Sequence, residues 1–508
     1  MRGKKTSKSK VKNTGSYSMM TIFDLSARQA TLTFLLSAAF RQVFPGSKLI
    51  VEHSFTDGYF CHRDDWSPIT QQDADGLESV MRQWLADTTP IESVLLSKSD
   101  ILKIFTHKQL VNKTAMIRRW PSEEIPMIRF GDIVDYQMEP MCLDKSQLLL
   151  FQLMPYDHGM LIRFPSILSP DRVMPFHDYP QLFEFIEEYE QWGSILHIES
   201  IAQLNDHVDT GTIRELVWVA EGLHEKKIAK IADSIGENFP KKRIVFVAGP
   251  SASGKTTFAK RLSIQLRVNG FTTRHISMDD YFIDRDNIPV DEHGNQDFES
   301  FEVLNNVLLT DRLGALLKGN TIPERRFDFV SGTGQDTHKT IQLSEKDIVI
   351  VEGIHGLNPR LTQSLGVNRV SKIYVSAMTQ LNVDGDHRFS TSDNRLLRRI
   401  VRDFKFRHYT PEDTFARWNS IRQGEVTHIF PYQEEADYFF NSALIYELPV
   451  LAKIVLPLLN DVDENFHLIE QVNRVKLLLS FFLPLDENVV PGISLLREFI
   501  GKSEFDYS

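Results

Sequence analysis

Residues 249–256 form the short stretch with the clearest chemistry, Gly-Pro-Ser-Ala-Ser-Gly-Lys-Thr. They fit the phosphate-loop pattern of Gly, four residues, Gly, Lys and Ser or Thr, in which backbone N–H groups cradle a polyphosphate. Lys255 is expected to reach the β- and γ-phosphates, and the Thr256 hydroxyl to hold Mg²⁺. The pattern therefore predicts ATP and Mg²⁺ as cofactors. The predicted cofactor-binding residues are Gly249, Ser251, Ser253, Gly254, Lys255, Thr256 and Thr257.

The flanking residues predict the elements that this loop needs. Residues 244–248 are an unbroken apolar run, typical of a strand buried on both faces of a parallel sheet. Residues 257–266 carry apolar side chains at helical spacing, so strand, loop and helix follow one another as the motif requires. From residue 241 onward strands alternate with helices, which predicts an α/β fold with a doubly wound parallel sheet.

Acidic residues follow two more predicted strands. Asp279 and Asp280 come directly after the strand at 273–278, and Glu352 ends the strand that begins at residue 347. Ligands of such sheets bind outside the carboxyl ends of the strands, so these carboxylates are expected at the site. Glu352 is placed as a Mg²⁺- or water-positioning acid, and Asp280 is interpreted as a helix N-cap.

Five segments, in this order, resemble the uridine kinase and phosphoribulokinase family over residues 243 to about 445. They are the loop Gly-x-Ser-x-Ser-Gly-Lys-Thr-Thr, Ser277–Phe282, Arg326–Ser331, Ile350–Gly353 and Asn394–Asp403. The resemblance implies transfer of the ATP γ-phosphate to the hydroxyl of a small molecule, usually a nucleoside or a sugar. An alternative is a phosphoribulokinase- or pantothenate-kinase-like enzyme acting on another metabolite.

The resemblance also implies roles for individual residues. Asp279 matches the aspartate that accepts the hydroxyl proton. Asp297 and Glu299 resemble the segment that binds sugar hydroxyls, although ordinary surface acids would give the same pattern. The lid arginines that stabilise the transferring phosphoryl group match Arg395, Arg398 and Arg402, which share a helix face, whereas Arg399 is interpreted as structural.

The substrate segment departs from the family at two positions. Where uridine kinases usually have Tyr and His to recognise the pyrimidine, this chain has Phe327 and Gly332, with Asp328 between them. Phenylalanine lacks the hydroxyl and glycine lacks the imidazole. Phe327 and Asp328 are retained as substrate-site candidates, and the identity of the acceptor is left open.

Residues 19–225 predict a smaller α+β module without internal repeats, interpreted as binding or regulatory. Residues 51–59 are weakly similar to the editing-type domain of threonyl-tRNA synthetases, where a metal-binding His-x-x-x-His is usual. Asp57 takes the place of the second histidine. His53, Cys61 and His62 then leave two alternatives, a three-ligand zinc site or ordinary histidines. An RNA-linked module with a nucleotide-driven switch domain is the alternative from another functional class.

Composition limits the remaining functions. The 508 residues carry a net charge of −11, which gives no general attraction to nucleic acid or to an anionic membrane. Two cysteines are typical of a reducing compartment, and a cytoplasmic protein is expected. Residues 1–18 predict a disordered basic tail, 226–450 the kinase-like domain, and 451–508 a helical extension that packs on the sheet or forms a homo-oligomer surface.

Overall fold

The computed structural model describes residues 22–198, 200–288, 296–379 and 381–507. The predicted basic tail at 1–18 lies outside these residues. Among the described helices, none combines the length and the apolar character needed to cross a membrane.

The N-terminal module contains two antiparallel sheets covered by helices. One sheet has the strand order β1-β2-β7-β6 and the other β3-β4-β5. Alternation of buried and exposed side chains along β1 turns one face of the first sheet toward α1 and α2, where Leu35, Val51 and Leu77 share one apolar core. The strands are Leu49–Phe55 (β1), Gly58–Arg63 (β2), Ile91–Ser97 (β3), Glu124–Phe130 (β4), Ile133–Tyr136 (β5), Gln152–Tyr156 (β6) and Gly159–Arg163 (β7), and the helices are Ile22–Val43 (α1), Gln71–Ala86 (α2), Lys98–His107 (α3) and Val111–Arg119 (α4).

Three helices connect this module to the second half of the chain: Pro180–Leu196 (α5), Ile201–Asp209 (α6) and Ile213–Glu237 (α7). Helix α7 buries Ile228, Ile231 and Ile235 against the central sheet. The predicted domain boundary between residues 225 and 226 falls inside α7. The boundary at 450/451 likewise falls inside a later helix, Glu447–Asn460 (α13). Both helices pack on two neighbours, so neither one ends where the sequence composition changes.

The central sheet has five parallel strands in the order β14-β13-β8-β12-β9, which confirms the predicted α/β class. All five residues of β8 are buried because helices cover both faces of the sheet. Helices α7 and α8 (Lys255–Val268) cover one face, and α9 (Asn306–Leu317) covers the other. The strands are Ile244–Ala248 (β8), Thr272–Ser277 (β9), Ile322–Asp328 (β10), Thr333–Ile341 (β11), Asp347–Glu352 (β12), Val370–Ser376 (β13) and Tyr438–Asn441 (β14), with β10 and β11 forming a separate antiparallel hairpin.

The helices of this half are Lys255–Val268 (α8), Asn306–Leu317 (α9), Pro359–Gln363 (α10), Thr391–Arg407 (α11), Pro411–His428 (α12), Glu447–Asn460 (α13), Ile469–Ser480 (α14) and Arg497–Ile500 (α15). Helix α11 is buried on one side by α13 and α14, in the same apolar core as the N-terminal module's Ile101 and Trp120. The C-terminal helices therefore belong to the body of the molecule.

Candidate active site

The phosphate loop connects β8 to α8, as its motif predicts. Gly249 admits no side chain, because a Cβ there would lie 2.0 Å from the Val375 carbonyl oxygen. Gly254 adopts a φ of +81° as the N-cap of α8, a left-handed conformation that favours glycine. Ser253 is buried, and its Oγ has no hydrogen-bond partner among the described residues. The loop therefore presents an orphaned hydroxyl beside a helix N-terminus, which suits an anionic ligand.

Lys255 lies in the middle of this arrangement. Its Nζ donates to the carbonyl oxygens of Gly249 and Pro250, each at 3.0 Å. Burial lowers the pKa of Lys255, and nearby carboxylates act in the opposite direction. Those carboxylates belong to Glu352, Asp279, Glu498 and Glu299. The predicted lysine, base and metal-associated acid therefore face one another across one edge of the sheet.

Thr256 and Glu352 come together at the ends of β8 and β12. The Thr256 hydroxyl donates to Glu352 Oε1 at 3.1 Å, and Glu352 Oε2 is buried without a hydrogen-bond partner in the described part of the chain. Burial and the nearby Glu498 raise the pKa of Glu352 to about 7, with Lys255 opposing the rise. A hydroxyl beside an unsatisfied carboxylate oxygen is a donor set that Mg²⁺ accepts, so the residues present fit this ion.

Asp279 and Asp280 follow β9 but face different partners. Burial raises the pKa of Asp279, and the cations Lys255, Arg407 and Arg402 oppose that rise. Asp280 is not an N-cap, so that prediction is wrong: Ser277 caps the following 3₁₀ turn. Instead, Asp280 Oδ1 accepts the backbone N–H of Phe327 at 3.0 Å. Asp280 thus ties β9 to the β10–β11 hairpin.

Two of the predicted lid arginines are committed to internal partners. Arg395 is 1% exposed and forms a bidentate ion pair with the Glu425 carboxylate. It also donates to the Ser251 carbonyl oxygen at 3.1 Å. Arg398 is fully buried and pairs with Glu447 at 2.6 Å. The prediction that Arg395 and Arg398 face the phosphates is therefore wrong. They support the loop from behind, because the buried side of α11 is the one that packs on α13.

The arginines nearer the cleft are others on the same helix. Arg399, predicted to be structural, donates to the Ser251 hydroxyl of the loop at 2.7 Å and pairs with Asp403 at 3.1 Å. Arg402 is half-buried, pairs with Asp403 and acts on Asp279, as does Arg407 at the end of α11. Sequence reasoning missed Arg407, although its spacing of four from Asp403 was a usable signal.

The acidic segment at residues 297–299 packs on α12. Asp297 Oδ2 lies 3.0 Å from His428 Nε2, and Glu299 crowds Gly424. Burial and the neighbouring Glu425 raise the pKa of Glu299 to about 7. The two acids thus differ in solvent exposure: Asp297 is exposed, whereas Glu299 is half-buried near Lys255 and Asp279.

The β10–β11 hairpin forms an aromatic wall beside the site. Phe327 is 9% exposed, and its ring packs against Phe282 and Phe329. Asp328 accepts the backbone N–H groups of Val330 and Ser331 and so shapes the hairpin turn, and its placement as a substrate contact stays a prediction. Gly332 has a φ of +73°, and a Cβ there would lie 2.7 Å from the Arg285 side chain.

A C-terminal residue that the sequence did not indicate reaches the loop. Glu498 Oε2 accepts the Thr257 backbone N–H at 3.0 Å and its hydroxyl at 2.7 Å. The Tyr507 hydroxyl shares the Thr257 hydroxyl at 2.8 Å, and Leu495 lies against Gly254. The Glu498 carboxylate therefore accepts a hydrogen bond from a first-turn N–H group that the motif assigns to a phosphate. No local pattern marks Glu498, which is 241 residues from its partner.

The three N-terminal zinc candidates do not come together. Cys61 points into the apolar core, where burial raises the pKa of its thiol well above the usual range, and both cysteines are free. His62 lies on the opposite face of β2 and contacts Glu52. A zinc site made of His53, Cys61 and His62 is therefore excluded, because consecutive residues on a strand point to opposite faces.

Comparisons with known proteins found relatives of the second half of the chain. A model of the "Phosphoribulokinase / Uridine kinase family" matches residues 244–446. A uridine kinase of Macrococcus caseolyticus is 30% identical over 182 residues, which is 36% of this chain and 78% of the relative. One from Clostridium botulinum is 29% identical over 199 residues, 38% of this chain and 85% of the relative. A solved structure described as a possible uridine kinase from Bacillus stearothermophilus is 18% identical with a TM-score of 0.30, covering 42% of this chain and 98% of that one.

Proposed function

The chain belongs to the phosphoribulokinase and uridine kinase family, and from this premise we propose that it transfers the γ-phosphate of ATP to a hydroxyl of a small-molecule acceptor. The acceptor that we favour is a nucleoside, because the relatives are described as uridine kinases. Two free cysteines, one of them buried, support a reducing compartment and hence the cytoplasm.

The observation that carries the proposal is the grouping of Lys255, Thr256, Glu352 and Asp279 at one sheet edge. Phosphoryl transfer needs a cation against the phosphates, a metal-binding set and a base for the nucleophile, and little covalent chemistry from the protein. Those three requirements correspond to Lys255, to Thr256 with Glu352, and to Asp279. A glycine turn with a purely structural role would not gather four acids around a lysine.

In this mechanism the Asp279 carboxylate accepts the proton of the acceptor hydroxyl and orients its oxygen toward the γ-phosphorus. Asp279 is exposed at the cleft, where an acceptor hydroxyl can come within hydrogen-bonding reach of its carboxylate. Lys255 releases its two carbonyl contacts and donates to phosphate oxygens. Arg402 and Arg407 offset negative charge on the transferring group. Mg²⁺ held by Thr256 and Glu352 would supply further charge neutralisation between the β- and γ-phosphates.

The hairpin supports an acceptor recognised by ring contact. Phe282 and the exposed Phe329 offer aromatic faces supported by the buried Phe327, and position 332 cannot carry a histidine without moving Arg285. Aromatic faces stack on any planar base without reading its hydrogen-bonding edge. We therefore expect weaker discrimination among nucleosides than a site with a hydroxyl and an imidazole would give.

The test is acceptor-dependent ADP formation with purified full-length protein, ATP and Mg²⁺, across pyrimidine and purine nucleosides, ribulose 5-phosphate and pantothenate. A nucleoside should stimulate ADP formation above the rate with water alone, and Asp279→Asn should abolish the stimulation. Stimulation only by ribulose 5-phosphate or pantothenate would overturn the nucleoside assignment while leaving the kinase reaction in place.

A further inference from the structure

A bulge in β1 brings the side chains of Glu52 and His53 close to the same carboxylate, that of Glu190. Val51 pairs with Cys61 and Ser54 pairs with Tyr59, so Glu52 and His53 together face a single residue of β2. Consecutive strand residues ordinarily point to opposite faces, and a bulge changes that direction locally. Both side chains here reach Glu190 of α5.

The three side chains enclose a small space with ligand atoms at its corners. His53 Nε2 lies 3.2 Å from Glu190 Oε1 and 3.9 Å from Glu52 Oε2, and all three ligand atoms lie within 4.8 Å of one another. Ligands about 2.0–2.1 Å from a tetrahedral ion are about 3.3–3.4 Å apart. The 3.2 Å separation of His53 and Glu190 is close to the edge of such a tetrahedron, and the Glu52 carboxylate would have to move slightly closer to complete it.

Glu190 supplies a second, independent observation. Its Oε1 is buried and makes no hydrogen bond to any described residue, although His53 Nε2 is 3.2 Å away. The two atoms are near enough for a hydrogen bond but wrongly aligned for one. An orphaned carboxylate oxygen is costly in protein surroundings, and a cation shared with the imidazole would satisfy it.

His62 orients the third ligand. Its Nδ1 donates to the Arg63 carbonyl at 2.7 Å, and its Nε2 lies 3.2 Å from Glu52 Oε1. Glu52 is thereby held with its other oxygen toward His53. Carboxylate ligands of metal ions are commonly held by such outer hydrogen bonds.

We propose that Glu52, His53 and Glu190 bind a divalent first-row transition metal ion, with Zn²⁺ the ion of reference. One imidazole and two carboxylates suit such an ion better than Mg²⁺ or Ca²⁺, which prefer oxygen ligands alone. Three protein ligands leave one position open. His53 also lines a cavity of about 700 Å³ between the N-terminal module and helices α11 and α12, which gives an ion and a further ligand a route to that position.

The experiment uses full-length protein freed of metal with EDTA and titrated with Co²⁺, followed by its visible absorption. Wild type should bind one equivalent with visible bands. His53→Ala and Glu190→Gln should lose more than the ~10–100-fold in affinity that removal of an outer partner costs, and His62→Ala should lose about that amount. The matched control is His158→Ala, which alters the neighbouring group of Asp157, His158 and Glu187 and should leave the titration unchanged.

Thermal unfolding keeps the proposal testable if a variant folds poorly. Zn²⁺ should raise the Tm of wild type, because an ion that binds only the folded state stabilises it, and should not raise the Tm of His53→Ala. Absence of saturable Co²⁺ binding by wild type would overturn the proposal and leave an ordinary histidine–carboxylate ion pair. Equal binding by His53→Ala, or a thiolate-to-cobalt band that indicates a cysteine ligand, would also overturn it.

Discussion

Replacing Glu498 should make the protein bind ATP more tightly. The Glu498 carboxylate accepts two hydrogen bonds from Thr257, at a first-turn N–H of α8 that the motif assigns to a nucleotide phosphate. A nucleotide phosphate and this carboxylate cannot use that N–H at once. The apparent affinity for nucleotide is therefore reduced by the fraction of molecules in which Glu498 is displaced.

The size of the effect follows from the backbone N–H contact, because this is the contact that a phosphate must replace. A hydrogen bond to a charged group contributes about 1.5–3 kcal/mol net, and the lower value applies because Glu498 is only half-buried. At about 1.4 kcal/mol for each factor of ten, Glu498→Ala should tighten nucleotide binding about tenfold. Glu498→Gln keeps the shape and one acceptor atom, so it should give a smaller gain.

The assay is calorimetric titration of the folded protein with Mg²⁺ and a non-hydrolysable ATP analogue. Glu504→Gln is the matched control, because it removes the same charge from the same segment at an exposed position that contacts Gly492 instead of Thr257. Its affinity should equal that of wild type. Unchanged or weaker binding by Glu498→Ala would refute the competition and would mean that Glu498 stays in place beside the bound nucleotide.

Three further predictions test other parts of the site. Arg395→Ala should destabilise the fold by about 3 kcal/mol in urea unfolding, because it leaves the Glu425 charge buried with Arg422 alone, whereas Arg402→Ala should lower kcat without that loss; equal stability of the two variants would contradict this division. Asp279→Asn should lower kcat by about 10²–10⁴, while Asp280→Ala should mainly raise the acceptor KM by loosening the hairpin; a larger kcat loss at Asp280 would exchange their roles. Because the pKa values of Glu299 and Glu352 are both raised to about 7, carboxylate charge is lost as pH falls through neutrality, so kcat/KM should decline below pH 7 and Glu299→Gln should make that decline less steep; an unchanged acid limb in the variant would assign it to Glu352 or another group.

The sequence predicted the parts of the site that depend on local pattern. The phosphate loop with its strand and helix, and the acids at the ends of β9 and β12, each follow from the residues immediately around them, where hydrophobic periodicity and motif spacing are informative. The parallel sheet followed from the same alternation and is confirmed.

The arginines of α11 show where such reasoning stops. Helical spacing correctly groups Arg395 with Arg398, but it does not tell which side of the helix is buried. That side is decided by α13, α14 and the N-terminal module, whose packing no local pattern encodes. Glu498 is a second example, because its position on Thr257 depends on the path of the whole C-terminal segment.

The most direct test of the central claim is isotopic. Purified protein is incubated with [γ-³²P]ATP, Mg²⁺ and each nucleoside, and the label is followed into the acceptor for wild type and for Lys255→Ala. We predict a labelled nucleoside monophosphate with wild type and a large fall in kcat with Lys255→Ala, since the lysine acts on charge that develops as the bond breaks. Lys255→Arg should not restore the rate, because a planar guanidinium does not reproduce a compact ammonium. Equal labelling by wild type and Lys255→Ala, or label released only as inorganic phosphate, would contradict the account.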